Sequence, residues 1–337
     1  MRIGLIDVDG HNFPNLPLMK LSAWHKKNGD SVEWYEPLFH SIGEPFDIVY
    51  MSKVFSFTPD YEYFVNSKCV IRGGTGYAIY QKNGKECYEQ CYDAELPYEV
   101  EHMYPDYSIY FNDDDFVYDE KTGECLGLSK KEREKRNTAY GFLTRGCPRG
   151  CEFCIIAGKE GKCSYKVADL SEFWNGQKNI ELCDPNMFAC KDWKELAWQL
   201  IDSGAYINFN QGCDIRIMTR EKIEYIRQMK IKTIHFAWDR YEDKEVIIPK
   251  FKMFKEITNW DKRKLIVYIL TNFDTTHKQD LERIYTLREL GYWPYVMIYE
   301  KEKLPKKHIT RKLQRWVNMR SIFETVYIFD DYLKTGG

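Results

Sequence analysis

The stretch AYGFLTRGCPRGCEFC, residues 139–154, places Cys147, Cys151 and Cys154 as C-x3-C-x2-C directly after a short apolar run. With eleven cysteines in 337 residues, chance would produce this triple about 0.01 times per chain, so the spacing is a signal. Gly146 and Gly150 allow the chain to turn tightly, and Pro148 stiffens the turn. Three sulfurs on one small loop can then converge while backbone N–H groups approach them, as a thiolate-ligated iron–sulfur cluster requires. Two other readings use the same residues. One is a structural zinc ion with Cys163 or a distant His as fourth ligand, although such sites usually show two separated cysteine pairs. The other is three small buried hydrophobes.

Outward from this loop, β-like apolar runs begin near Tyr140, Asn179, Tyr206, Thr233, Leu265 and Pro294, spaced 27 to 39 residues apart. Helical patterns lie between several of them. Trp193, Leu196, Ala197, Leu200 and Ile201 form one apolar face that stops at Gly204. Thr276 and Gln279 make a capping box ahead of Leu281, Ile284 and Tyr285, and Gly291 closes that helix. Six such units close part of a (β/α) barrel or lie open as a doubly wound sheet, and either architecture puts chemistry at the C-terminal ends of the strands. A helix is expected from Lys306 to Phe323, followed by a last apolar run, Val326 to Phe329.

The N-terminal part has its own rhythm. Arg2–Val8 is an apolar run ending in Asp7, Asp9 and Gly10, and Leu18, Leu21 and Trp24 then recur at helical spacing up to Gly29. Further strands fit Ser31–Tyr35, Asp47–Lys53 and Cys69–Ile71, the last running into Gly73-Gly74. This predicts a small parallel α/β domain over residues 1–92. Residues 93–138 lose periodicity and read as a connecting segment.

The cysteine loop after the first of six βα units resembles that of the radical S-adenosylmethionine (SAM) superfamily, over about residues 138–300. The resemblance implies an α/β chain built of four parts. A small Rossmann-like domain (1–92) and a connecting segment (93–138) precede a partial (β/α)6 TIM-type barrel (139–300) and a C-terminal helical extension (301–337). It implies that Cys147, Cys151 and Cys154 hold a [4Fe-4S] cluster whose open iron is chelated by SAM. One electron then cleaves SAM, and the 5′-deoxyadenosyl radical takes hydrogen from a substrate. Phe153 would lie near the adenine. Other strand ends match less closely. After the second strand the family has a Gly-Gly-Glu-like motif, whereas this chain has Cys183-Asp184-Pro185-Asn186; Asp184 or Asn186 would accept from the SAM ammonium. The third strand ends NFNQGCDIR, where Asn208, Asn210, Gln211, Asp214 and Arg216 gather. Arg216 would meet the SAM carboxylate as a bidentate fork, with Gln211 and Asp214 beside it. Asp239 and Asn272, at the ends of the fourth and fifth strands, stand where the family places ribose or adenine contacts. The Lys159–Lys162 segment, Asp169 and Glu172 follow the cysteine loop as either a lid or plain surface.

The N-terminal domain is similar to the cobalamin-binding domains that precede many such barrels. Asp9-Gly10-His11-Asn12-Phe13-Pro14 resembles their D-x-H-x-x-G pattern, but Pro14 stands where Gly is expected, which argues against bound cobalamin. Three functions follow: a cobalamin-independent radical SAM enzyme, a cobalamin-dependent methyltransferase or methylthiotransferase-like enzyme, and a non-catalytic metal-stabilised binding protein. For the second, Cys69, Cys87, Cys91 and Cys125 lack a persuasive spacing.

Composition sets the partners. The formal net charge of −2 gives no general attraction to nucleic acid or an anionic bilayer. No run approaches 18 apolar residues, and the first strand meets Asp7 too soon for a signal-peptide core. A cytoplasmic location is expected, where eleven cysteines read as metal or redox ligands more readily than as a disulfide framework. A peptide, a nucleoside or a small metabolite remains open as substrate, with an electron donor such as flavodoxin or ferredoxin.

Overall fold

The computed structural model describes residues 1–82 and 85–335. The chain divides into two compact units, Met1–Ile180 and Glu181–Gly337. Its strands form α/β sheets with parallel pairing throughout the larger paired regions.

In the first unit, β1 (Arg2–Asp7) is flanked by β2 (Ser31–Trp34) and β3 (Ile48–Ser52), and β4 (Val70–Gly73) adds outside β3. All three pairings are parallel. Helix α1 (Leu16–Lys27) is started by Asn15, whose side chain accepts from the Leu18 amide at 3.3 Å. Leu18 and Leu21 pack on Ile3 and Leu5 from one side of the sheet. On the other side Ile6, Tyr35, Phe46, Val49 and Met51 form a second core. The segment after residue 93 returns to this domain. Tyr110 donates to Asp7 Oδ2 at 2.6 Å and accepts from the Asn15 amide at 3.0 Å, while Trp34 Nε1 donates to the Ile109 carbonyl at 2.8 Å. Gly74, at φ +101°, is required by this packing, since a Cβ there would lie 2.3 Å from the Lys53 carbonyl oxygen.

Burial pushes the Asp7 carboxyl up to about 6, only partly opposed by the Tyr110 hydroxyl. The folded chain therefore keeps a proton on Asp7 where the unfolded chain has lost it, so this group's stabilisation is complete below about pH 4 and is lost as pH rises through 6. Asp7→Asn should gain stability relative to wild type as pH rises from 4.5 to 7. Urea midpoints at the two pH values measure this; a constant difference would remove Asp7 as the titrating group.

The strand β5 (Thr138–Gly141) also belongs to the first unit. Strand β6 (Asn179–Leu182) lies at the division, and β7 (Tyr206–Cys213) opens the second unit. The second unit continues with β8 (Lys230–Ala237), β9 (Leu265–Thr271) and β10 (Trp293–Ile298), ordered β7-β8-β9-β10 and parallel. Among the described residues these strands form open sheets. The crossover helices are α2 (Trp193–Ser203), α3 (Arg220–Gln228), α4 (Lys244–Thr258) and α5 (His277–Glu289). Helix α2 ends at the left-handed Gly204, and α5 begins with the Thr276–Gln279 capping box, both as the sequence predicts. The C-terminal helix differs from expectation. It stops at Asn318 as α6 (Ile309–Asn318), and further short helices cover Arg320–Thr325 and Phe329–Lys334. The cause is the β10 edge: the Asn318 side chain accepts from the Val296 amide at 2.8 Å and donates to the Val296 carbonyl at 3.0 Å. It thereby completes an edge strand that would otherwise present bare backbone.

Candidate metal centre and strand-end site

The cysteine loop is the connection of a small hairpin. Thr144 and Arg145 pair antiparallel with Lys166 and Tyr165, so residues 146–164 leave and return through one narrow neck. At that neck Glu160 acts as a clasp. Its side chain is almost fully buried, one oxygen meets Arg145 Nη1 at 3.0 Å, and the other accepts from the Gly146 amide at 2.9 Å. The Arg145 guanidinium in turn lies 3.4 Å over the Phe142 ring. Gly146 is left-handed at φ +78°, and a Cβ there would stand 2.0 Å from the Cys163 carbonyl oxygen. No other residue fits this closure. Gly150 is also left-handed, at φ +60°, and reverses the chain between Cys147 and Cys151. The Cys147 amide donates to the Gly161 carbonyl at 3.3 Å, and the Cys154 amide to the Cys151 carbonyl at 3.0 Å.

Cys147, Cys151 and Phe153 are half-buried, and Cys154 is exposed. Among the described residues no three His, Cys, Asp or Glu side chains are gathered on a single metal position. What fits a cluster is the donor set, three thiols within eight residues, together with the glycine-closed backbone beneath it. The sequence marks Glu160 only as part of a segment that is lid or plain surface; its role as a clasp is not readable there because its partners lie fourteen or more residues away. If the loop holds an iron–sulfur cluster, Glu160→Ala should leave the fold intact yet speed iron loss to a chelator about tenfold, as loss of an outer-sphere partner does. An unchanged loss rate would leave Glu160 as a fold-holding clasp with no influence on the metal.

The second unit collects most of the remaining candidates at its strand ends. Asp184, Asn186 and Asp214 are buried. Asp184 and Asp214, with burial as the larger effect, hold the Cys213 thiol protonated well above its usual range. Asp214 Oδ1 accepts from the Arg216 amide at 3.1 Å and from its Nε at 2.7 Å, and Asp243 takes Arg216 Nη1. Arg216 thus sits between two carboxylates and is held in place by both. The Asp239 carboxyl is pushed up to about 6 by burial, against the opposing charges of Arg283 and Arg216. Asp214, Arg216 and Asp239 are therefore brought together. Asn272 is exposed, left-handed at φ +63°, and donates to the Tyr299 carbonyl at 2.9 Å. Gln211 is exposed on a bulge: from Phe209 to Cys213, β7 uses four steps where β8 uses two.

One face of this sheet is apolar and covered, with Ile207, Phe209, Ile234, Phe236, Val267 and Val296 buried. The other face is polar and half-exposed. Asn208 and Asn210 both donate to Glu181 Oε2 at 2.6 Å, and Thr233 donates to Asn208 Oδ1. Tyr268 donates to the Asn210 carbonyl at 2.9 Å and stacks on His235, with ring centroids 5.0 Å apart. Burial holds the His235 imidazole below its usual value, hence neutral near pH 7. Parallel sheets normally bury both faces under apolar side chains, so this face departs from the usual pattern in carrying hydrogen-bonded polar groups. Glu181, Thr233 and His235 were missed in the sequence, although each interrupts an apolar strand at period two.

No protein-family model matches the chain. No curated protein matches it. A crystal structure of Streptococcus suis SuiB bound to precursor peptide SuiA superposes with a TM-score of 0.37 at 10% identity, covering 61% of this chain and 55% of that one. The chain thus spans little more than half the length of that protein. A likeness so small carries no argument for fold or function. Among the described residues no helix is long and apolar enough to cross a membrane.

Proposed function

We propose that this chain is a radical SAM enzyme, with the second unit's strands forming part of a (β/α)6 barrel. The observation that supports the reading is the C-x3-C-x2-C loop closed by left-handed Gly146 and Gly150 and clasped by Glu160. Cys147, Cys151 and Cys154 would hold the [4Fe-4S] cluster. When bound, such a cluster would supply the single electron for reductive cleavage of SAM. A one-electron donor such as flavodoxin or ferredoxin would serve it.

The chain's own residues supply binding and orientation. Phe153, between the second and third thiols, offers a half-buried aromatic edge for adenine. Asp184 and Asn186 are acceptors for an ammonium group. Arg216, fixed by Asp214 and Asp243, presents a positioned guanidinium for a carboxylate, and Asp239, Asn272 and Gln211 offer hydrogen bonds to ribose hydroxyls. The polar sheet face of Asn208, Asn210, His235 and Tyr268 is assigned to the substrate.

The test is anaerobic reconstitution with iron and sulfide, followed by SAM and dithionite, with products identified by liquid chromatography and mass spectrometry. 5′-Deoxyadenosine is the expected product. A fully loaded cluster that never cleaves SAM, with or without a substrate panel, would instead favour a metal-stabilised binding protein.

A further inference from the structure

The N-terminal sheet is covered unequally. Helix α1 packs on one side, while the other is roofed by two irregular crossovers, residues 36–47 between β2 and β3 and residues 53–69 between β3 and β4. Tyr61 and Val65 point inward onto the second core. The outer side chains of the same segments are apolar where a crossover would ordinarily be polar. Leu38 is 89% exposed, Ile42 86%, Phe57 81%, Phe39 76%, Phe64 71% and Tyr63 67%.

This roof is fixed in shape. Tyr35 donates to the Phe64 carbonyl at 3.1 Å and accepts from the Asn66 amide at 2.9 Å, while the Asn66 side chain donates to the Gly43 carbonyl at 3.2 Å. These bonds hold the two crossovers side by side, so the Ile42 and Phe64 stretches are neighbours. Phe55 and Phe57 stack at 5.2 Å. A pre-ordered apolar cluster of this extent marks an interaction surface.

Its charge selects the partner. From Glu36 to Asn66 the chain carries Glu36, Glu44, Asp47, Asp60 and Glu62 against a single lysine, Lys53, which is buried; Arg2 reaches the Glu44 carbonyl from β1 and Arg72 faces Asp60 from β4, so the rim's acidity rests on Glu36, Glu44 and Glu62. Lys68, just beyond, is bonded to Asp47. A second copy related by a two-fold axis would bring acid against acid. Anionic lipid and nucleic acid are repelled for the same reason. We propose that this roof binds a polypeptide segment that combines leucine-like or aromatic anchors with lysine or arginine. Anchors fill the gaps between the exposed rings, and the cations meet the acidic rim. The inference does not depend on the iron–sulfur reading.

The test uses the full chain and a fluorescently labelled amphipathic peptide built only of leucine and lysine. Fluorescence anisotropy should show saturable binding that weakens about tenfold or more in Leu38→Ser/Phe39→Ser/Phe64→Ser and in Glu36→Lys/Glu62→Lys. The same peptide with glutamate in place of lysine should bind about tenfold more weakly to wild type. Because every substitution is at an exposed side chain, circular dichroism should show native folding, and the charge variant carries the test alone if the triple variant fails to fold. Absence of binding, equal binding of the glutamate peptide, or binding insensitive to either variant overturns the proposal. So does a patch-dependent dimer in ultracentrifugation, or patch-dependent retention on phosphatidylcholine–phosphatidylglycerol vesicles.

Discussion

Cys151→Ala should yield a chain that folds normally, retains no iron–sulfur absorption after reconstitution, and makes no 5′-deoxyadenosine. The expected loss is complete because two thiolates do not replace three on a cluster that must also keep one iron open to its co-substrate. Folding should survive, since the loop's shape is set elsewhere, by the Glu160 clasp, the Gly146 closure and the Thr144–Arg145 ladder. Cys151 is only half-buried, so its truncation should cost no more than about 1 kcal/mol. Cys147→Ala and Cys154→Ala should behave alike. Cys163→Ala decides between chemistries: it should keep the cluster and SAM cleavage, whereas a four-ligand zinc site that used Cys163 would lose its metal. A Cys151→Ala chain that still cleaves SAM would move the reactive centre away from this loop.

The sequence makes local devices readable and hides those that depend on distant partners. The Thr276–Gln279 pair and Gly204 act within one helical turn, so their caps are visible in the chain and recur in the structure. Asn318 ends a helix for a reason twenty-two residues away, on the β10 edge, and nothing near it in sequence announces the stop. Likewise residues 93–138 read as a connector because their order comes from Tyr110 on Asp7 and Ile109 on Trp34, contacts that leave no periodic trace. The candidate site divides the same way. The cysteine spacing is a local pattern, while the clasp from Glu160 is not. The sequence proposes Arg216 as a fork for a carboxylate and gives no sign of Asp243, which holds one arm of that guanidinium from the turn ahead of the next helix. A guanidinium already oriented by two carboxylates keeps less freedom to lose when it meets an anion, yet it also offers that anion less charge.

Arg283→Met should destabilise the second unit by about 4 kcal/mol, the range found when one partner of a buried ion pair is removed. Arg283 is fully buried on α5. Its Nη1 donates to the Trp238 carbonyl at 2.6 Å and to the Asp239 carbonyl at 2.8 Å. Its Nη2 donates to the Leu270 carbonyl at 2.8 Å and to Asp280 Oδ1 at 2.6 Å. One side chain therefore ties the ends of β8 and β9 to the helix that crosses behind them. Methionine has nearly the same length and would fill the space, so the cost isolates polar loss from cavity formation. Three carbonyls and the Asp280 carboxylate would be left without this donor in a dry interior. Arg283→Lys should cost less, about 2 kcal/mol, because one ammonium keeps the charge but cannot span both strand ends. Arg283→Met/Asp280→Leu should recover part of the loss by removing the stranded carboxylate. Urea unfolding at pH 7 measures all three. In the two methionine variants Asp239 loses the larger of the two charges that oppose its burial, so its carboxyl should titrate still higher than about 6. If Arg283→Met unfolds at the wild-type midpoint, the fork is not what fixes the strand ends, and the placement of Asp239 and Asn272 must rest on the apolar packing of α5 alone.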